Sequence, residues 1–320
     1  MKPVFLSALA LATALVAPVD GALAQKSARH ELLMRKAAPK PSNSPLSLRS
    51  WEPAARAWGS FIVAIATPAK NDPESLPNHR CTGVLVSRQH VLASGYCVGD
   101  ARDEAAVVQP DTLEVYLGGK VDPGSRPTRV TALFRHPEYD PLSFRGDVVI
   151  LKLSQPVAGP VEPIGLSSAP EVSLRQSTSA GWMQDDTGDR QIIMRMTVPH
   201  VAKGRCEAIM REERIANAQH TYADIISSLN VPPELALTTW KSLTKAMPVI
   251  LSNEMICAGP EDGVPCGIDA GSVLLSAPQG GAPELIGVFT HLTACEAPGV
   301  PAVYTRIAPY ADWIRETIKK

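Results

Sequence analysis

The chain has 320 residues, of which 45% are hydrophobic, and a formal net charge of −1. That length suits one large or two small domains with a sizeable core, and the near-neutral balance argues against a general nucleic-acid binder. Aromatic residues at 5%, with 29 prolines and 22 glycines, favour many short elements and turns over a helical bundle.

Residues 1–24 read as a secretory signal. One lysine precedes an apolar run from Val4 to Val19, and the small-x-small site Ala22-Leu23-Ala24 places cleavage before Gln25. The run is short for a membrane span, and no later stretch approaches ~20 apolar residues. A soluble, secreted or periplasmic protein is therefore expected. Six cysteines in an oxidising compartment suggest three disulfides, which the sequence alone could pair in about 15 ways. No C-x-x-C pair occurs, which argues against a zinc site, and no other metal, cofactor or nucleic-acid signal stands out. Residues 25–50 form a basic lead-in, with six Lys or Arg against one Glu, read as a flexible solvated linker.

From Trp51 onward, short strand-like runs recur between Gly and Pro punctuation: Phe61–Ala66, Thr82–Ser87, Thr112–Gly118, Asp147–Leu153, Gln191–Pro199 and Glu284–Leu292. Their even spacing predicts an all-β barrel or sandwich. Between Cys206 and Cys257 the pattern turns helical. Ile209, Ile215, Ala218, Tyr222, Ile225, Ile226 and Leu229 fall near one face. Pro232-Pro233 interrupts, and a second helix follows with Leu235, Trp240, Leu243 and Met247 as its apolar side. This insertion, about 207–252, is expected to fold back on its own domain; the alternative is a docking surface for a partner. A last helix, "APYADWIRETIKK", carries its cations at the C-terminal end.

Ten segments, in order, resemble the trypsin/chymotrypsin-like serine proteases from about Trp58 to Lys320. "CTGVLVSRQHVLASGYC" resembles the family's first disulfide loop, which usually ends T-A-A-H-C, and "GDVVILKL" resembles the strand bearing the triad aspartate. "HPEYDP", "AGW", "VPHVAKGRC", "MICAG", "GVFTHLTAC", "PAVYTRI" and the closing W-I helix follow the same text, and "CGIDAGS" sits where C-x-G-D-S-G-G belongs. The resemblance implies two six-stranded antiparallel β-barrels, chymotrypsin-like, with a C-terminal helix and the helical insertion, in a domain spanning residues 51–320. It also selects the disulfides Cys81–Cys97, Cys206–Cys257 and Cys266–Cys295.

The resemblance implies a Ser-His-Asp triad as well, in which a histidine base activates the serine and a buried aspartate orients the base. Asp147 occupies the aspartate position, but the histidine position is Tyr96 and the serine position is Ala270. Alanine offers no nucleophilic atom. A phenol with a pKa near 10 is no useful base at neutral pH. At the oxyanion hole, formed by the amides at positions 268 and 270, the family's glycine is Ile268, whose branched side chain disfavours glycine's special backbone angles. The specificity acid is Val264, the substrate-binding edge S-W-G is Thr290-His291-Leu292, and a later pocket glycine is Ala302; these added side chains are expected to narrow the pocket. Ser272, His291 and His90 are the residues that could replace the lost groups. Asp269, which in active members meets a newly freed N-terminal amine, is expected to pair within its loop.

These features lead to a non-catalytic protease homologue that acts by binding a protein partner and needs no cofactor. The alternatives are an active serine endopeptidase with displaced catalytic residues, and a structural protein docking through the helical insertion.

Overall fold

The computed structural model describes residues 52–54, 60–68, 77–99, 108–118, 120–121, 126–159, 161–168, 175–184, 191–260, 263–264, 268–276, 282–294 and 297–320. The expected signal, the basic lead-in, Cys266 and Cys295 lie outside the described residues.

Six strands close the first barrel: β1 (Ile62–Thr67), β2 (Asn78–Ser87), β3 (His90–Ala93), β4 (Glu114–Tyr116), β5 (Thr128–Arg135) and β6 (Val149–Leu153), in the order β1-β2-β3-β6-β5-β4. Every residue of "HVLA" in β3 is buried, and β1 and β6 are nearly so, as continuous β-branched runs at a barrel wall require. The β2–β3 hairpin turns on Ser87, whose hydroxyl accepts the Gln89 amide (3.2 Å) and bonds His90 Nδ1 (2.8 Å).

The second barrel uses β7 (Gln176–Gln184), β8 (Gln191–Val201), β9 (Met255–Ala258), β10 (Val273–Ser276), β11 (Glu284–His291) and β12 (Ala302–Arg306). They run β8-β7-β10-β11-β12-β9, and the pairs His200–Ala258 and Val201–Cys257 return β9 to β8. The molecule is thus two six-stranded antiparallel barrels, as the sequence implied. Strands β3, β5, β7, β9, β10 and β12 are additional to the runs picked out from periodicity.

Helix α1 (Lys203–Ser228) and helix α2 (Pro233–Ala246) leave the second barrel between β8 and β9. The Cys206–Cys257 disulfide ties the start of α1 to β9, Met210 is buried, and Asn217 Nδ2 donates to the Thr293 carbonyl at 3.5 Å. Helix α2 leans on α1 through Tyr222, whose hydroxyl donates to the Ala236 carbonyl (2.6 Å) and whose ring meets Trp240 (centroids 4.9 Å apart). The insertion thus folds back on the second barrel through α1, as expected, whereas no residue of α2 is buried. Its apolar side is only partly used, and Leu235, Leu237 and Leu243 stand exposed. Among the described residues no helix is long and apolar enough to cross a membrane.

Helix α3 (Ala311–Thr317) closes the chain. Trp313 and Tyr310 hold the His136 ring edge-on, with centroids 5.0 and 4.9 Å away. The Tyr310 hydroxyl accepts the Gly146 amide at 3.1 Å, which fixes the loop that leads into Asp147.

The second described disulfide, Cys81–Cys97, spans the hairpin that carries Tyr96. Replacing Cys206 and Cys257 together by alanine is expected to cost about 2–4 kcal/mol. Denaturant unfolding of the oxidised protein and the variant measures it.

Candidate functional site

The site lies where the two barrels meet. Asp147 is fully buried at the start of β6. Its carboxylate accepts the Ser94 hydroxyl at 2.8 and 2.9 Å and the Tyr96 amide at 3.1 Å. Burial pushes its pKa up to about 6, against the pull of the Ser94 hydroxyl, the Tyr96 amide, the Thr290 hydroxyl and the Gly95 amide. Ser94 and Gly95 stand at the two alanine positions of T-A-A-H-C. A serine two residues before the absent imidazole thus supplies the donor that Asp147 would otherwise lack. The Tyr96 ring takes no part in this: the residue is 40% exposed and only its amide reaches the carboxylate.

The loop of Ile268–Ser272 is fastened to the first barrel through the Asp269 side chain. Asp269 Oδ2 is 2.7 Å from His79 Nε2 and accepts the Thr82 hydroxyl at 2.8 Å. This corrects the expectation that Asp269 pairs within its loop; the partners lie 190 and 187 positions away. Thr82 also donates its amide to the Ala270 carbonyl (2.9 Å) and accepts the Trp182 amide on Oγ1 (2.8 Å). Gly271 follows with φ +81°, and a Cβ there would lie 2.0 Å from the Thr82 carbonyl oxygen. Ala270 therefore presents a methyl group where the resembled loop presents its hydroxyl. Positive φ among described non-glycine residues is confined to Phe144 and Asn230, so Ile268 does not take up the left-handed backbone open to glycine.

The pocket positions have become core. Val264 and Ala302 are buried with Met196, Ile256, Phe289 and Tyr304 in one apolar cluster, and Ile268 and Leu292 pack against it. Tyr304 fills the middle, its hydroxyl donating to Ser179 at 2.9 Å.

Nor do the possible replacement residues assemble. Ser272 is buried and its hydroxyl, like both ring nitrogens of His291, makes no hydrogen bond, so the two do not pair. His291 lies flat on Phe144, with centroids 4.7 Å apart and planes at 15°. Burial, and then the positive charge of Arg214, pushes its pKa down to about 4. It is therefore uncharged at neutral pH. His90 is engaged with Ser87 at the far end of β3. Thr290 of β11 bonds Thr305 of β12 at 2.7 Å. Arg214 and Asn217 bring α1 alongside the Thr290–Leu292 edge.

Sequence reasoning located Tyr96, Asp147 and Ala270 but missed Ser94, His79, Thr82 and Phe144. Only Ser94 carried a local signal, a hydroxyl at an alanine position beside a lost histidine. Among the described residues no cluster of His, Cys, Asp or Glu could hold a metal ion.

The family model described as Trypsin matches residues 52–314. Trypsin II-P29 of Gallus gallus is 24% identical over 248 residues, covering 75% of this chain and 80% of its own length. Inactive serine protease PAMR1 of Bos taurus is 25% identical over 265 residues, 75% of this chain but 32% of its own length. Serine protease 56 of Mus musculus is likewise matched over only 34% of its length, so the chain spans about a third of these two longer relatives. The solved structure titled "Kallikrein-related peptidase 10 complex with Zn2+" superposes with a TM-score of 0.54 at 23% identity, covering 83% of this chain and 98% of that one; it shares the fold.

Two measurements test the site. Thr82→Val keeps the shape but strands the Trp182 amide, while Asp269 keeps His79, and unfolding should show a loss of about 1–3 kcal/mol for the buried amide left unpaired. Asp147 is an acid whose folded pKa of about 6 stands above its unfolded value near 3.9. Folded protein therefore binds more protons, and this contribution to stability is full below about pH 4 and lost as pH rises through about 6. The stability of the native chain relative to Asp147→Asn should fall by on the order of 2–3 kcal/mol between pH 4 and 7. A flat difference across that range would contradict the buried, raised carboxyl.

Proposed function

The chain belongs to the trypsin family, and we propose that it is an exported member that does not hydrolyse peptides and acts by binding a protein. One observation carries this reading. Asp147 is saturated by Ser94 and the Tyr96 amide, while Ala270 stands on the nucleophile loop, so the triad's proton path has neither base nor nucleophile. The filled pocket around Val264, Leu292 and Ala302 adds support, because a substrate side chain would have to displace core residues. Export is supported by the two disulfides at Cys81–Cys97 and Cys206–Cys257, which persist in oxidising compartments.

The alternative of displaced catalytic residues finds no dyad among the described residues, since Ser272 and His291 are both unpaired. The purified, oxidised chain is expected to give no turnover of peptide substrates and no labelling by a serine-directed phosphonate. Tyr96→His with Ala270→Ser should stay inactive too, because Ile268 disturbs the oxyanion hole, where one lost donor costs about 10²–10³-fold, and the pocket remains packed. Turnover by the native chain that disappears on Ser272→Ala would overturn the proposal.

A further inference from the structure

His291 is a titratable side chain whose ring nitrogens the fold shields without giving them a partner. It ends β11, and three segments meet on it. From the loop before β6, Phe144 lies flat on its ring, with centroids 4.7 Å apart. Helix α1 brings Arg214 close enough to act on it, and Asn217 donates to the Thr293 carbonyl two residues further on. On its own strand, Thr290 bonds Thr305 of β12 and reaches Asp147 with its hydroxyl. The residue is partly exposed, yet neither ring nitrogen makes a hydrogen bond.

The charges around this junction leave a protonated imidazole uncompensated. Arg214 of α1 is the charged group that acts on His291, and it has the wrong sign. In the loop, Arg145 is held by Glu138 at 2.8 Å, and Asp140 accepts the Leu142 amide and the Ser143 hydroxyl at 3.0 and 2.7 Å. Asp147 is taken up by Ser94 and the Tyr96 amide. Opposite His291 in β12 stands Val303. A neutral ring suits this place as a flat partner for Phe144. An imidazolium would have two shielded donors without acceptors, beside a guanidinium. Phe144 is the point at which the junction can give. Its φ is +54°, a left-handed backbone that a bulky side chain rarely takes, and such a conformation persists only while its surroundings hold it.

We propose that His291 is an acid-sensitive latch: while neutral it holds the 140–146 loop against the end of β11 through Phe144, and on protonation it releases that loop while both barrels stay folded. An imidazole in water has a pKa of about 6.5, and in the closed latch it is pushed down to about 4. The open form therefore binds the proton more readily. Closure is complete above about pH 6.5 and weakens as pH falls to about 4, by up to about 300-fold. The latch does not depend on whether the chain hydrolyses peptides.

Amide hydrogen exchange of the full oxidised chain at pH 7 and pH 4.5 tests it, with protection expressed relative to an unstructured peptide at the same pH. The amides of Asp140, Leu142 and Gly146, which are bonded in the closed loop, are expected to lose protection by about 50-fold between the two pH values. Strands β3 and β6 should keep theirs. His291→Phe, which retains a flat ring, and His291→Gln should each abolish this loss. Arg214→Gln removes a repulsion and so raises the closed-state pKa of His291. It should make the ratio between the two pH values smaller, whatever the lost bond from Arg214 to the Pro248 carbonyl costs at both. Loop protection that does not change with pH, a loss that persists in both His291 variants, a loss shared equally by β3 and β6, or a larger ratio in Arg214→Gln would each overturn the proposal.

Discussion

Thr82 is the point on which the two barrels turn. It is fully buried at the middle of a first-barrel strand, yet its amide, hydroxyl and carbonyl all reach the second barrel. Its amide holds the Ala270 carbonyl, its hydroxyl donates to Asp269 and accepts from Trp182, and its carbonyl presses on Gly271. Trp182 is itself among the largest fully buried side chains. A buried hydroxyl that donates once and accepts once has its main hydrogen-bonding capacity met. Its neighbours inherit fixed positions, because each would be left unpaired if it moved. The conformation of the loop at 268–272 is thus held jointly by Thr82 from the other barrel and by the bonds that Gly271 and Ser272 make with Phe289 in β11.

Asp147 poses the opposite problem, a charge that the fold buries without a cation beside it. Desolvation alone would keep such a carboxyl neutral. Ser94 and the Tyr96 amide partly offset that cost, and the disulfide at Cys97 fixes the turn from which both donors point. Across the interface, Thr290 contributes from β11 while His291 turns its ring onto Phe144. No cation is among the groups that act on the buried acid, and hydroxyl and amide dipoles offset its burial instead.

How far the fold could be read from the residues followed from how local its causes are. β6 is a continuous β-branched run and announced itself. β7, "QSTSAGWMQ", did not, because Ser177 and Ser179 are on its buried face and are satisfied by His200 and by Tyr304; only tertiary partners make a serine-rich stretch into a core strand. β10 is four residues long, too short for any period to show. In the site, Tyr96, Asp147 and Ala270 could be found because ordered motifs surround them. The partners of Asp269 could not, since nothing in a sequence marks contacts made across nearly two hundred residues. The helices were legible from their spacing, but amphipathic spacing states that a face will be covered without saying by what.

The filled pocket and the pinned loop have a common physical logic. A protease pocket is a cavity at the protein's own expense, since volume lined by side chains and left without them costs about 24 cal/mol per Å³. A nucleophile loop held in unusual backbone angles stores strain of order 1–3 kcal/mol per residue. Both are tolerable only while chemistry requires them. On the proposed non-catalytic reading, with a methyl group for the hydroxyl and an outward phenol for the imidazole, neither requirement remains. Val264, Leu292 and Ala302 can then pack into the space, and Ile268 can replace glycine without positive φ. Each of these changes adds burial, and none asks the barrels to move. On that reading, reactivity is withdrawn from such a fold by ordinary core packing, without a change in the barrels that carry it.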